Sequence, residues 1–207
     1  MNPLDQLPDF QSFKYQVALR PASSLLRAWD KLAECERRLE MYRFVEANND
    51  PGKAQYRILL NDALSAFLLS LEATLQFVKD QCRRSKPALQ FDKWLRQQSR
   101  YDVTLKGLRT LRHFEAHVLP TPPRSAIVAT IGGSLPDGTL ATGVSRTWHL
   151  PQLQPTDLDQ LKKWGRPLAP ADLNDWNTMA AKLDVKTILA DGLTKLRDIL
   201  LAAEQVI

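Results

Sequence analysis

The chain is poor in several residues and patterns on which familiar protein classes depend. It has only two cysteines among 207 residues, too few for a disulfide framework or a cysteine-rich zinc module. It has no run of about 18 apolar residues and no basic-then-apolar N-terminus, so we expect neither a membrane span nor a secretory signal. Gly-rich phosphate loops and the nucleophile elbow of hydrolases are missing as well. We therefore expect a cytoplasmic protein without a cofactor, a bound metal or a membrane partner.

Positive charge is concentrated in one part of the chain. The net charge is +5, yet residues 83–124 contain ten basic and three acidic residues and hold +7, which leaves −2 for the remainder. Charge of this kind bears on association rather than on fold. Any function that uses the basic excess should therefore be sought in this segment.

Apolar spacing predicts a mainly α-helical bundle in a single domain. Apolar residues recur at three- and four-residue steps over residues 53–83, which predicts one long helix with further helices on either side. A helix of this length needs partners along its apolar face, as in a bundle. Within the domain, residues 1–207, the predicted segments are a helical core over 22–118, a β-hairpin insert over 124–150 and C-terminal helices over 156–207.

Short alternating segments predict a small antiparallel sheet beside the helices. Residues 125–131 and 139–148 are typical of two strands joined by a glycine-containing loop. Residues 13–19 alternate in the same way and predict a third strand that Pro21 ends. Because three strands are more stable than an isolated hairpin, a three-stranded sheet is expected.

Two of the three histidines lie four residues apart on a helix that Asp102 is expected to cap. At about 100° per residue, Arg109, Arg112, His113 and His117 share an arc of about 140°, and apolar residues occupy the opposite arc. Arginine matches the geometry of phosphate oxygens, and histidine transfers protons near neutral pH. Together they suit RNA cleavage without a metal, in which one group assists attack by the 2′-hydroxyl and another protonates the leaving oxygen.

The same residues can also have purely structural roles. Such a cluster is more often a solvated helix face than a catalytic one, and His113 can be a hydrogen-bonded histidine at a helix interface. Arg109 can pair with Asp102, with Glu115 or with an acid on another helix. A zinc-protease site is disfavoured because Glu115 lies about 200° around the helix from His113, whereas in that motif the glutamate directly follows the first histidine.

Arg112, four intervening residues and His117 match an Arg-x(4–6)-His signature, and in this the segment resembles HEPN domains. His113 stands where that family has a polar residue after the arginine, and the helix from Leu59 to Phe77 is similar to an early helix of its bundle. The resemblance covers residues 22–118. It implies an α-helical bundle of the kind found in bacterial defence and toxin–antitoxin systems, where many members are metal-independent endoribonucleases that dimerise to form one composite cleft.

The resemblance also implies roles for individual residues. Arg112 and His117 would be the catalytic pair and His113 an auxiliary catalytic group, and the neighbouring cations are expected to bind RNA: Arg96, Arg100, Lys106 and Arg109. Expected partners are RNA, a second copy of the chain and an antitoxin or regulatory protein. The chain departs from some toxin members at Leu119, where they carry a tyrosine that a partner modifies. The alternative function is a non-enzymatic helical module whose basic face binds nucleic acid or an acidic protein.

Overall fold

Seven α-helices and two β-strands make up the part of the chain that the structure describes. The structure is a computed structural model that describes residues 19–47, 51–117, 124–134, 140–161 and 168–206, with side chains at 27–42, 51–52, 54–113, 148–161 and 168–206. The elements are α1 (Leu19–Ala47), α2 (Lys53–Ser85), α3 (Phe91–Gln97), α4 (Val103–His117), β1 (Arg124–Ser134), β2 (Leu140–His149), α5 (Pro155–Gln160), α6 (Leu173–Lys182) and α7 (Val185–Glu204). The prediction of a mainly α-helical fold is confirmed.

The bounds of two helices follow from capping residues that the sequence provides. The backbone N–H of Thr104 donates to the Asp102 carboxylate at 3.0 Å, so Asp102 caps α4 as predicted. The backbone N–H of Lys186 donates to the Asp184 carboxylate at 2.9 Å at the start of α7. Each cap satisfies a backbone donor that the first turn of a helix leaves without an intrahelical acceptor.

The predicted sheet insert is not supported in its three-stranded form. The described strands form a single antiparallel pairing of β1 with β2, which runs from Arg124 opposite His149 to Ser134 opposite Leu140. Everything else that the structure describes as regular secondary structure is helical.

The expectation of a third strand over residues 13–19 is wrong at its C-terminal end. Leu19 is the first residue of α1, and Pro21 lies in the first turn of that helix; residues 13–18 lie outside the described residues. Proline is tolerated in a first turn because its missing N–H would have had no intrahelical acceptor there. Pro21 therefore accompanies the start of a helix and does not end a strand.

One cluster of buried side chains joins the helices. Helix α2 packs against α1, α4 and α7, and the short α3 packs against α2. The cluster extends from Ala28 in α1 to Ala203 in α7, and Trp148, Leu150 and Leu153 belong to it. The segments that follow α4 therefore share their core with α1–α4.

Lys195 connects α7 to the beginning of α4. Its ammonium lies 2.6 Å from the Asp102 carboxylate and 2.5 Å from the Asp191 carboxylate, and it donates to the Thr104 hydroxyl at 3.0 Å. Burial lowers the pKa of Lys195, but hydrogen bonds to the two aspartates outweigh burial and raise that pKa above its ordinary value. The lysine therefore remains charged, and the ion pairs hold the capped end of α4 against α7.

Both cysteines are buried in the helical core. Burial raises the pKa of the Cys35 thiol to about 12, and the neighbouring Glu34 and Glu36 contribute to the increase. Burial also raises the pKa of the Cys82 thiol to about 11. At neutral pH both side chains are thiols that pack as small apolar groups.

The part of helix α2 from Ala54 to Ser85 could cross a membrane if only its length and composition are considered. A helix at the centre of a water-soluble bundle has the same properties, and part of this one is buried inside the protein. The expectations of a cytoplasmic location and of no membrane partner therefore stay predictions.

Close packing at Gly107 on α4 gives a test of the fold. A Cβ atom at Gly107 would overlap the rigid ring of Trp176, which is 0% exposed, so the ring or α4 would have to shift. We expect Gly107→Ala to lower the free energy of unfolding by about 1–3 kcal/mol, measured by urea denaturation. Gly192→Ala is the matched control, since its Cβ meets only the end of the flexible Leu108 side chain. A larger loss for Gly192→Ala would contradict the described packing of α4 against α6.

Candidate functional site

The position of α4 determines where the predicted site residues lie. Leu105, Leu108 and Leu111 are 0%, 0% and 1% exposed, so this face of α4 is buried in the core. Leu108 and Leu111 belong to the arc predicted to face the bundle. Phe114 and Val118, predicted on the same arc, lie outside the described side chains.

Arg109 forms the best-defined polar contact of α4, with a glutamate on α2. Its Nε and Nη2 atoms donate to the two carboxylate oxygens of Glu72 at 2.6 and 2.7 Å, so the contact is bidentate. Its Nη1 atom donates to the Tyr101 hydroxyl at 2.5 Å, and the guanidinium lies 5.7 Å from the centre of the Tyr101 ring. The Arg109 side chain is 19% exposed and that of Glu72 26% exposed. For Arg109 the structure therefore shows one of the structural alternatives, an ion pair with an acid on another helix.

The two charges of this pair are each stabilised by the other. Burial by itself raises the pKa of the Glu72 carboxyl, but hydrogen bonds and charge from Arg109 outweigh burial and lower that pKa below its ordinary value. For Arg109, burial opposes the charge, and Glu72 followed by Tyr101 raises the pKa of the guanidinium. The pair is therefore fully ionised at neutral pH.

Arg112 and His113 lie next to the Glu72–Arg109 pair. Both side chains are half-buried, and the Nε2 atom of His113 is shielded from solvent. Electrostatic interactions with His113 and Arg112 also help to lower the pKa of the Glu72 carboxyl, which places both residues near it. Among the residues that the structure describes, Arg112 forms neither a hydrogen bond nor an ion pair.

The remaining predicted site residues are spread over a wider area. His117 is the last residue of α4, and its side chain lies outside the described residues. The other three interact within the chain: Lys106 with the Asp172 carboxylate at 3.0 Å, Arg100 with the Asp198 carboxylate at 3.2 Å, and Arg96 with the Asp92 backbone carbonyl at 3.0 Å. The structure thus brings Arg112 and His113 together with Arg109, and places Lys106, Arg100 and Arg96 in other contacts.

The chemistry available at this site follows from its charge balance. Both oxygens of the Glu72 carboxylate are bound by Arg109, so Arg112 acts on that carboxylate only through its charge and forms no ion pair in the described part of the chain. A half-buried arginine of this kind favours an anion with paired oxygen acceptors, such as a phosphate. The imidazole of His113, one residue further on, supplies a group able to exchange a proton with that anion.

Sequence reasoning did not single out Glu72, although the sequence contains a signal for it. Between Ala63 and Val78, Glu72 is the only charged residue in an otherwise apolar and uncharged stretch. A carboxylate in such a stretch costs free energy unless a cation and hydrogen bonds compensate it. The identity of that cation depends on which helix packs against α2, and this the sequence pattern alone does not specify.

No cluster of three or more potential metal ligands from His, Cys, Asp and Glu occurs among the residues with described positions. The expectation that the chain binds no metal stays a prediction.

The ionised state of Glu72 gives a prediction about pH. Its pKa is lower in the folded protein than the ordinary value of 4.5, so its stabilising contribution is present above that value and is lost as the pH falls through the lowered folded pKa. We expect Glu72→Gln to lower the free energy of unfolding by about 2–4 kcal/mol at pH 7, because it leaves Arg109 without its counter-charge.

Urea denaturation of both proteins between pH 7 and pH 3 measures this effect. The difference between wild type and Glu72→Gln should shrink towards the acid end. Glu40→Gln is a matched control, since Glu40 pairs with Lys186 on an exposed surface and its loss is expected to cost less than about 1 kcal/mol. A difference for Glu72→Gln that stays constant with pH would contradict the described ion pair.

Comparison with known proteins leaves the site to be interpreted on its own chemistry. No family model, curated protein or solved structure matches the chain. The resemblance to HEPN domains therefore stays a prediction, and the function has to be argued from the residues around Arg112.

Proposed function

We propose that this protein is an HEPN-like, RNA-binding, metal-independent endoribonuclease of the defence or toxin–antitoxin type. In this proposal it acts as a homodimer. Arg112 and His117 are the catalytic pair, and His113 is the auxiliary group. The proposal joins the Arg-x4-His spacing to one structural observation: Arg112 carries a charge with no acid partner among the described residues, directly beside a carboxylate that another arginine already neutralises.

The observation supports a phosphate-binding role for Arg112 in particular. Had Arg112 been the partner of Glu72, its guanidinium would be engaged within the protein, as that of Arg109 is. Because Arg109 takes that position, Arg112 is left to bind the scissile phosphate and stabilise the charge that develops on it. Histidine provides the proton transfers: one imidazole accepts the proton of the attacking 2′-hydroxyl, and a second imidazole donates a proton to the leaving 5′-oxygen.

A dimer completes this arrangement. A single copy supplies one Arg112 and two histidines on one helix, and a two-fold axis beside α4 would bring two copies of this set to the same phosphate. Each copy would then contribute groups on opposite sides of the scissile bond. An antitoxin or regulatory protein that covers α4 would block both substrate access and dimerisation.

Cleavage of RNA in the presence of EDTA tests the proposed reaction. We expect the wild type to cleave a mixed-sequence single-stranded RNA, and we expect Arg112→Ala and His117→Ala each to lower the cleavage rate at least ~100-fold, since phosphate stabilisation or a proton transfer is lost. His113→Ala should have a smaller effect. The readout is the appearance of RNA fragments with 2′,3′-cyclic phosphate ends on denaturing gels.

The controls are one arginine and one histidine elsewhere on the protein. Arg57 on α2 is exposed, and His149 lies at the end of β2 with its Nδ1 atom 3.1 Å from the Leu183 carbonyl oxygen. Arg57→Ala and His149→Ala should cleave within about two-fold of wild type. Absence of cleavage by the wild type, or full activity of both Arg112→Ala and His117→Ala, would disprove the proposal.

Mixing two inactive variants tests the composite cleft. A heterodimer of Arg112→Ala with His117→Ala retains one copy of each group, so we expect the mixture to recover measurable cleavage that neither variant shows alone. Sedimentation velocity on the same samples reports whether dimers are present. Dimers without recovered activity would show that each copy works independently.

A second candidate function is a non-enzymatic module that binds nucleic acid or an acidic protein. The observation that favours it is the position of the exposed cations at the end of α2 and on α3, away from Arg112. It predicts salt-sensitive RNA binding without fragments, so the cleavage assay in EDTA separates the two candidates.

A further inference from the structure

Five exposed cations surround the junction between α2 and α3. They are Arg83, Arg84, Lys86, Lys93 and Arg96, and together they form the α2–α3 corner. None of them forms an ion pair with another residue that the structure describes. Lys86 donates to the Val206 carbonyl at 3.4 Å and Arg96 to the Asp92 carbonyl at 3.0 Å, and both acceptors are uncharged backbone oxygens.

The corner differs from the rest of the basic segment because its cations have no ion-pair partner among the described residues. Neighbouring cations are bound by carboxylates within the protein: Lys79 by Asp92 at 2.7 Å, Arg100 by Asp198, Lys106 by Asp172 and Arg109 by Glu72. Among the described side chains of residues 83–124, most cations outside the corner are therefore paired with a carboxylate, whereas those at the corner are not. On α4, Arg112 also has no carboxylate partner among the described residues.

The ion pair between Lys79 and Asp92 connects the two halves of the corner. It ties the last third of α2 to the first turn of α3 at 2.7 Å. Arg83 lies one turn after Lys79 on α2, and Arg96 lies one turn after Asp92 on α3, so each extends from the same junction. The corner is consequently built on two packed helices.

The corner lies in line with the Arg112 site along α2. Arg83 follows Glu72 by eleven residues, which places the two on the same side of the helix, about 20° apart and about 16 Å apart along its axis. Gln76, between them, is exposed. A chain of phosphates that contacts Arg112 beside Glu72 can therefore continue over α2 to the corner.

We propose that the α2–α3 corner binds the phosphate backbone of a single-stranded nucleic acid, at a distance of several nucleotides from the Arg112 site. This deepens the proposed function and rests on it for the position of the scissile phosphate. The substrate class that follows is a single-stranded RNA long enough to reach both sites. Three of the five cations are arginines, which suit phosphate recognition by their planar, forked donors.

The surroundings of the corner favour a nucleic acid over a membrane or a peptide. The large exposed apolar side chains among the described residues are Met41, Ile58, Leu69 and Leu183, and none of them belongs to the corner. Membrane-surface segments use apolar side chains that insert beside the cations, and peptide grooves use apolar anchors. A cluster of cations without apolar anchors matches the negative charge of a nucleic-acid phosphate backbone.

Binding of single-stranded DNA tests the corner without turnover, because DNA lacks the attacking 2′-hydroxyl. The probe is a fluorescent oligo-dT of about 20 nucleotides, measured by anisotropy at several salt concentrations. For Arg83→Gln/Arg84→Gln/Lys93→Gln/Arg96→Gln we expect Kd to rise at least ~10-fold at about 100 mM salt. The slope of log affinity against log salt should become shallower by about 3, since each lost phosphate contact on a single strand accounts for about 0.7.

The matched control removes four exposed cations from other surfaces. Arg27→Gln/Lys31→Gln/Arg57→Gln/Lys182→Gln has the same change in net charge and should alter Kd less than about three-fold. Equal weakening in both variants would mean that only total charge matters and would overturn the proposal, as would an unchanged Kd in the corner variant. Binding by the wild type to phosphatidylserine vesicles or a poly-glutamate peptide, with none to oligo-dT, would overturn it as well.

Two further measurements separate this proposal from the proposed function. The variant Arg83→Gln/Arg84→Gln/Lys93→Gln, which keeps Arg96, should still cleave an RNA trinucleotide, which is too short to reach the corner, at the wild-type rate. Arg112→Ala should lose cleavage but retain most of its affinity for oligo-dT. Thermal unfolding serves as the fold control, because Arg83 and Arg84 lie in the last turn of α2, where cations also offset the helix dipole. If the corner variant unfolds, Lys93→Gln/Arg96→Gln on α3 must by itself raise Kd at least about three-fold, and an unchanged Kd would overturn the proposal.

Discussion

The ion pair of Glu72 with Arg109 is the constraint on which the arrangement of this site depends. Glu72 lies in the middle of an apolar helix, where a carboxylate without a partner would destabilise the fold by several kcal/mol. Arg109 donates hydrogen bonds to both carboxylate oxygens and, through its Nη1 atom, to the Tyr101 hydroxyl. The pairing fixes α4 against α2 in one register. That register in turn determines that Arg112 and His113 lie beside a carboxylate that is already neutralised.

A second feature of the structure is that some basic residues form ion pairs within the protein and others do not. A sequence-level excess of +7 over residues 83–124 suggests a single positive surface. In the fold, Lys106, Arg109 and Arg100 reach carboxylates of α2, α7 or the turn before α6, and they act mainly as connections between elements. Among the described side chains of this segment, the cations without an ion-pair partner lie at the α2–α3 corner and at Arg112. The composition therefore shows which segment is basic, and the ion pairs within the fold determine which of its described cations stay unpaired.

The sequence allowed the helices to be predicted more reliably than their contacts. Helix α2 and the cap at Asp102 follow from local patterns, because apolar periodicity and capping involve only neighbouring residues. The partner of Arg109 did not follow, since it lies 37 positions away on another helix. A short alternation is a weak guide to where a strand would end: seven residues carry little periodicity, and both Leu19 and Pro21 lie in the first turn of α1.

The two buried cysteines have a practical consequence for testing whether two copies of the chain associate. Their thiols are shielded by the helical core and have raised pKa values, so neither presents a thiolate to an alkylating reagent at neutral pH. The wild-type chain thus already behaves as a cysteine-free background for labelling. A single cysteine introduced on the exposed side of α3 would carry the only spin label or fluorophore, and distances between labels in a pair of chains would map how two copies are oriented.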